Sequence, residues 1–273
     1  MALLGKGWEV MTSSASTIAP RAAPSQDELF PIRATTVQPF EQGKDISFRC
    51  WDVSGRFFYC KGDSSNRSTR AIEAVFTSLA LELGISTAPW STIEYSGQTY
   101  FGSQDRDLTS SHFRTRDFIL STSKDETGRA SPFPGSYLSQ VLVYDLFINN
   151  PDRSPNNFVL LDGYGSDRLC AIDFADASFK SLTSTDFPVA LSNTRQLGRR
   201  CREIHGEHLA PALEMVERIE GLPRTVFSRI VNDVRDDWLD EVAKGSLCEI
   251  WGSSDFRRRL AHLRTGLTSG DLV

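Results

Sequence analysis

Three polar residues between Tyr137 and Asp176 stand where chemistry could be done. Asp152 follows the helix-stopping run Asn149-Asn150-Pro151, Asn157 comes five residues later, and Asp173 emerges from the apolar run Leu169 to Ile172. Their side chains amount to a base, a neutral oxygen donor and a charged donor, and the last two suit a hard cation such as Mg2+. Upstream, Lys61 ends the strand-like run from Arg56, and Glu73 lies near the start of a helical pattern that opens at about Thr69. Phosphoryl transfer asks little covalent chemistry of a protein and much positioning: a lysine on the phosphates, a glutamate to orient it, two metal ligands, and a carboxylate beside the attacking hydroxyl. The chain offers one residue for each role, in a workable order. Taken alone, Asp152 and Asn157 could be a turn that satisfies its own amides. A carboxylate leaving an apolar strand, however, usually has a partner, so Asp173 tips the reading toward a metal site. Lys61 competes with a strand-end lysine reaching solvent, and Glu73 with a first-turn charge favoured by the helix dipole. Arg153 is read as fixing Asp152 or contacting a phosphate, against a surface ion pair.

The elements that must position these groups follow from periodicity. Tyr137, Val141, Tyr144 and Ile148 recur at helical spacing, and Leu138, Leu142, Leu146 and Phe147 widen the stripe until the helix is apolar nearly all round, which predicts burial. Pro151 ends it. Phe158 to Leu161, the turn residues Asp162 to Ser166, and Leu169 to Ile172 predict a β-hairpin that delivers Asp173. Earlier, strand-like runs cover Ala34 to Phe40, Ile46 to Val53 and Arg56 to Lys61, the last two joined by Ser54-Gly55. Alternation places Phe57, Tyr59 and Lys61 on one face of the third strand, with Phe58 and Cys60 on the other. A helix from about Thr69 to Leu83 and two short strands, Ser91 to Tyr95 and Gln98 to Gly102, complete a β-rich unit. Ser121 to Arg129 reads as an exposed loop. Further on, the pattern is helical over His208 to Ile219, from Pro223 to about Trp238, and over Asp255 to Leu263. The expected fold is α+β and bilobal, protein-kinase-like, with a small β-rich lobe over residues 27–103 and a larger, mainly helical lobe over 104–273. Residues 1–26 read as a flexible tail, and Met11 is a second candidate start.

Composition is that of an ordinary globular protein, 40% hydrophobic and 24% charged over 273 residues, enough for a substantial core. A net charge of −5 argues against wholesale nucleic-acid binding, and Arg199-Arg200 and Arg257-Arg258-Arg259 read as solvated helix faces. No apolar run reaches the ~20 residues of a membrane span. Five cysteines lie scattered without ligand spacing and fit buried reduced thiols, so a cytoplasmic location is expected. His112, His205, His208 and His262 lack metal spacing and are read as structural.

Asp-x-x-x-x-Asn followed by Asp-Phe is the spacing of protein-kinase-like enzymes. More narrowly, FINNPDRSPNNFVLL running into AIDFADASF, the strand YCKGD, and the helix AIEAVFTSLALELGISTAP resemble the HipA-like kinases, a family related to bacterial toxin kinases and more distantly to phosphatidylinositol 3/4-kinases. The resemblance covers about Val37 to Leu263. It implies an ATP- and Mg2+-dependent kinase acting on a protein Ser/Thr or another hydroxyl. Lys61 would be the nucleotide lysine with Glu73 as its partner, Asp152 the catalytic aspartate, and Asn157 and Asp173 the Mg2+ ligands. The expected partners are ATP, a protein or small-molecule acceptor, and a regulatory protein. Three features depart from the protein-kinase pattern: no histidine precedes Asp152, Ala175 follows Phe174, and no G-x-G-x-x-G loop exists. That leaves Ser54-Gly55 to cover the phosphates, and Ser54, Ser64 and Ser65 as candidates for self-phosphorylation. The alternatives are a regulatory pseudokinase that only binds nucleotide, or an AMP transferase; the intact set Lys61, Asp152, Asn157 and Asp173 favours catalysis.

Overall fold

Alternating side chains fold the first third of the chain into a sheet. The computed structural model describes residues 30–40, 45–65, 67–105, 109–121, 133–161 and 167–272. The expected tail, most of the Ser121 to Arg129 loop and the Asp162 to Ser166 turn lie outside them. β1 (Ile32–Arg33), β2 (Thr36–Pro39), β3 (Ile46–Trp51), β4 (Phe57–Lys61), β5 (Trp90–Tyr95) and β6 (Gln98–Gln104) form one sheet in the spatial order β1-β5-β6-β4-β3-β2. Only β1 and β5 pair in parallel; the other neighbours are antiparallel. Phe48, Cys50, Phe58, Cys60, Ile93 and Ile32 fill a small core on one face. The alternation expected for β4 holds, and Tyr59 and Lys61 line a cleft on the other face.

Register decides which end of the β3–β4 hairpin lies at Lys61. Ile46 pairs with Lys61 and Trp51 with Phe57, so the turn Asp52 to Arg56 closes the end of the hairpin away from Lys61. Asp52 ties that turn off by accepting from the amides of Ser54 and Arg56, both at 2.8 Å. The expectation that Ser54-Gly55 covers the phosphates is therefore corrected: five strand residues, ~17 Å, separate it from the lysine. Proximity no longer recommends Ser54 for self-phosphorylation either. Phe40 and Ile46, which flank the β2–β3 connection, line the cleft instead.

The helical part is built around α1 (Thr69–Glu82) and α3 (Gly135–Ile148), with α2 (His112–Leu120) between them. Val75, Phe76 and Leu79 of α1 join Leu138, Val141 and Phe147 of α3 in one large core. α3 ends where predicted, with Asn149 in a left-handed conformation (φ 55°) that closes the helix. β7 (Phe158–Leu161) and β8 (Arg168–Ala171) pair antiparallel as expected, Phe158 opposite Ala171. Five helices follow: α4 (Asn193–His205), α5 (Leu209–Gly221), α6 (Arg224–Asn232), α7 (Glu241–Ile250) and α8 (Ser254–Ser269). Arg259 corrects the reading of its cluster as solvated: it is fully buried on α8. Cys50, Cys60, Cys170 and Cys201 are buried and unbridged. No helix among the described residues is long and apolar enough to cross a membrane.

Candidate active site

A cleft of about 420 Å3 opens between the sheet and the β7–β8 hairpin, lined by Lys61, Glu73, Asn157 and Asp173 among others. β4 carries Lys61 to its edge and α1 carries Glu73 beneath it. The Lys61 ammonium bonds Glu73 Oε1 and, 2.7 Å away, Asp173 Oδ1, joining residues far apart in sequence. Glu73 Oε2 accepts from the amide of Phe174 at 3.2 Å, so the same glutamate also anchors the backbone just after Asp173. Burial works against the charge on Lys61, but the two carboxylates outweigh it and raise its pKa. Burial likewise pushes Glu73 up, with the ammonium opposing. Asp173 has its side chain 37% exposed in the cleft. Its partial burial is overcome by Lys61, which holds the carboxyl at about 2. Asp173 also adopts φ 63°, a left-handed backbone that non-glycine residues avoid unless their surroundings impose it.

The loop after α3 brings Asn157 to Asp173, the amide Nδ2 donating to Oδ2 at 3.1 Å. Asn157 Oδ1 is held by the backbone amide and hydroxyl of Ser154, at 2.9 and 2.6 Å. Facing an oxygen toward Asp173 therefore needs half a turn of the amide and exchanges those Ser154 bonds for a cation. No group of three or more His, Cys, Asp or Glu side chains among the described residues is arranged for a metal. Mg2+ does not require one, since it takes one or two protein donors and completes its shell with water and phosphate. The Thr87 hydroxyl, buried in the wall of the cleft, has no hydrogen-bond partner among the described residues. A buried orphan of this kind fits a ligand that supplies the missing partner.

Asp152 lies exposed on the loop that carries Asn157 and is not among the residues that line the cleft; its Oδ1 accepts from Asn193 Nδ2 at 2.6 Å. Sequence reasoning missed Asn193 and its neighbour Thr194. The Thr194 hydroxyl donates to the Asn150 carbonyl at 2.6 Å and accepts from the Arg153 amide at 3.0 Å, so the first turn of α4 docks the loop. The only local signal was Ser192-Asn193-Thr194, a common helix start. Arg153 is a correction. It is fully buried, its guanidinium bonds Asp145 at 2.7 and 3.0 Å, and it can neither touch a phosphate nor lie in a surface pair. Asp176 meets Arg67 at 2.5 Å.

The fold is similar to that of the proinflammatory kinase CtkA of Helicobacter pylori, with a TM-score of 0.57 and 11% identity over 89% of this chain and 99% of that one. A weaker similarity, TM-score 0.37 and 10% identity over 94% of this chain and 68% of the other, is to HipA of the Shewanella oneidensis toxin–antitoxin system, in complex with HipB and operator DNA. No curated protein matches the chain. The sequence model of HipA-like kinases matches residues 34–244, from just before the second strand of the sheet into the first turn of α7. That span takes in every residue of the cleft named above and well over half of the sequence, and the chain belongs to the HipA-like kinase family.

Proposed function

We propose that the chain is an ATP- and Mg2+-dependent kinase that moves the γ-phosphoryl group to a serine or threonine hydroxyl of a protein. The observation that carries this reading is Lys61 held between Glu73 and Asp173 in a cleft whose next donor is Asn157. Membership of the family makes the chain a phosphotransferase of kinase type; ATP, the metal and the acceptor are the finer claims. Asp152 is exposed rather than enclosed, which suits a hydroxyl carried on another macromolecule. The division into lobes over 27–103 and 104–273 is part of the same proposal.

In this scheme Lys61 neutralises phosphate oxygens, and Glu73 holds its ammonium extended into the cleft. Asp173 and Asn157 are the residues that would hold Mg2+, which when bound supplies neutralisation of the developing phosphate charge. Asn193 fixes one oxygen of Asp152, and the other has no hydrogen-bond partner among the described residues and is left for the acceptor proton. As the acceptor oxygen bonds to the γ-phosphorus, its proton passes to Asp152. The bond from that phosphorus to the bridging oxygen breaks, and the electron pair leaves with ADP.

The test is the intact mass of the chain, and of a protein acceptor supplied with it, after incubation with Mg2+ and ATP. The expected result is a phosphoryl increment on either protein that disappears in Asp152→Asn and Asp173→Asn. An adenylyl increment would make the chain an AMP transferase. Nucleotide binding with neither increment would leave a regulatory protein that keeps the fold.

A further inference from the structure

Arg153 takes no part in the reaction proposed above, yet it is as deeply buried as any side chain in the molecule. Its Nε and Nη2 grip the two oxygens of Asp145, itself fully buried and fixed by Asn150 Nδ2 at 2.8 Å. Its Nη1 donates to two backbone carbonyls, that of Asn157 at 2.8 Å and that of Ile172. The first carbonyl belongs to one candidate metal ligand, and the second to the residue just before the other. The last ladder pair between β7 and β8 is Phe158 with Ala171, so Asn157 and Ile172 form the next rung, tied by the Ile172 amide to the Asn157 carbonyl at 3.0 Å. Left to themselves, two carbonyls aimed at one point would repel, and the end of a two-stranded ladder would splay. A single nitrogen between them holds the rung shut. The rings of Phe158 and Phe174, 5.3 and 4.8 Å from the guanidinium carbon, keep water from competing for those bonds.

We infer that Arg153, locked by Asp145, is a positioning residue that sets the separation of Asn157 and Asp173 and thereby the affinity for the metal of the metal–nucleotide complex. The inference rests on the proposed reading of those two residues. Groups that orient metal ligands without touching the metal are typically worth about 10- to 100-fold in metal affinity. Lys61 bonds neither Arg153 nor Asp145 and keeps Glu73 as a partner of its own, so nucleotide affinity without metal is expected to stay nearly constant.

The experiment uses the full chain and Mn2+ as a spectroscopic probe, titrated by electron paramagnetic resonance in the presence of ATP, beside ATP binding in EDTA. Arg153→Lys keeps the charge opposite Asp145 but not the fork. Asp145→Asn keeps the shape. The double variant Arg153→Met/Asp145→Leu removes both buried charges together, which avoids stranding either one. The expected result is a fall of about 10- to 100-fold in Mn2+ affinity in the variants that melt as folded proteins, with metal-free ATP affinity close to that of the wild type. Unchanged Mn2+ affinity in a folded variant would overturn the inference, as would Mn2+ and metal-free ATP affinities falling in parallel. Failure of all three variants to fold would reduce Arg153 to a purely structural clamp. Absence of ATP-dependent Mn2+ binding in the wild type would instead remove the proposed function, and this inference with it.

Discussion

Asp173 combines the left-handed backbone of the site with a carboxyl held at about 2 by the Lys61 ammonium, and acid should reveal that contact. A carboxylate free in the unfolded chain titrates near 3.9. The folded value lies below that, so the stabilisation is complete above about pH 4 and is lost as the pH falls toward about 2. Linkage alone would give ~2.5 kcal/mol, but with the side chain 37% exposed, water in the cleft screens the pair and ~1 kcal/mol is expected. Urea unfolding at pH 5 and pH 2.5 should show the wild type losing about that much more than Asp173→Asn. Equal losses would mean that Lys61 does not hold this carboxylate. At this scale the sequence was informative where residue type restricts role. A lysine closing an aromatic strand and a carboxylate leaving an apolar one both announced a partner, and Lys61, Glu73, Asn157 and Asp173 do meet. Asn193, Thr194 and Asp145 were not legible, because nothing local marks which loop a helix terminus will dock against.

α3 matters less for its apolar flank than for its last turn, which feeds the loop carrying Asp152 and Asn157. Arg259 closes that turn from α8, donating to the carbonyls of Leu146 and Phe147, both at 2.7 Å, and to those of Ser184 and Asp186 at 2.7 and 2.8 Å. Burial lowers its pKa to about 10, with Asp186 opposing. A cation at a helix C-terminus is favoured by the dipole, and here it also satisfies carbonyls the helix cannot. Arg259→Met leaves the carbonyls of Phe147, Ser184 and Asp186 without this donor, for a loss of ~2–4 kcal/mol. Melting should fall by roughly 5–15 °C, followed by circular dichroism, and Arg259→Lys should restore only part of it. An unchanged melting temperature would show that other donors reach those three carbonyls. Period-2 and period-3.6 patterns located most strands, α1, α3 and α5. They missed α2, where only Thr115 and Ile119 are buried, and gave no bounds to α4, although Arg199-Arg200 was read as a helix face, because its arginines leave Leu197 and Cys201 as its buried apolar side chains besides glycine. They also ran α6 on toward Trp238, although the helix ends at Asn232 and α7 restarts after the Asp240 cap.

Across the whole molecule, the sheet keeps a small core of its own while α1 spends its apolar side on the large one shared with α3 to α8. The helix that holds Glu73 is thus a structural member of the helical half, and the two halves should unfold together. Leu79→Ala, in the C-terminal third of α1, is expected to cost ~2–5 kcal/mol and to move one transition rather than split it. Far-ultraviolet dichroism and tryptophan fluorescence should trace the same curve, since Trp51 reports on the sheet, Trp251 on the helices, and Trp90 and Trp238, in ring contact with each other, on the seam between them. Two separated transitions would show that the sheet is an independent folding unit. The turn from Asp52 to Arg56 has a different kind of consequence. It is tied off by its own aspartate, displays Val53 at 89% exposure, and sits at the end of the hairpin farthest from the lysine. Such tips accept insertions best, so a fluorophore or affinity tag placed between Ser54 and Gly55 would give an experimenter a handle on the sheet that carries Lys61 and take no room from whatever enters the cleft.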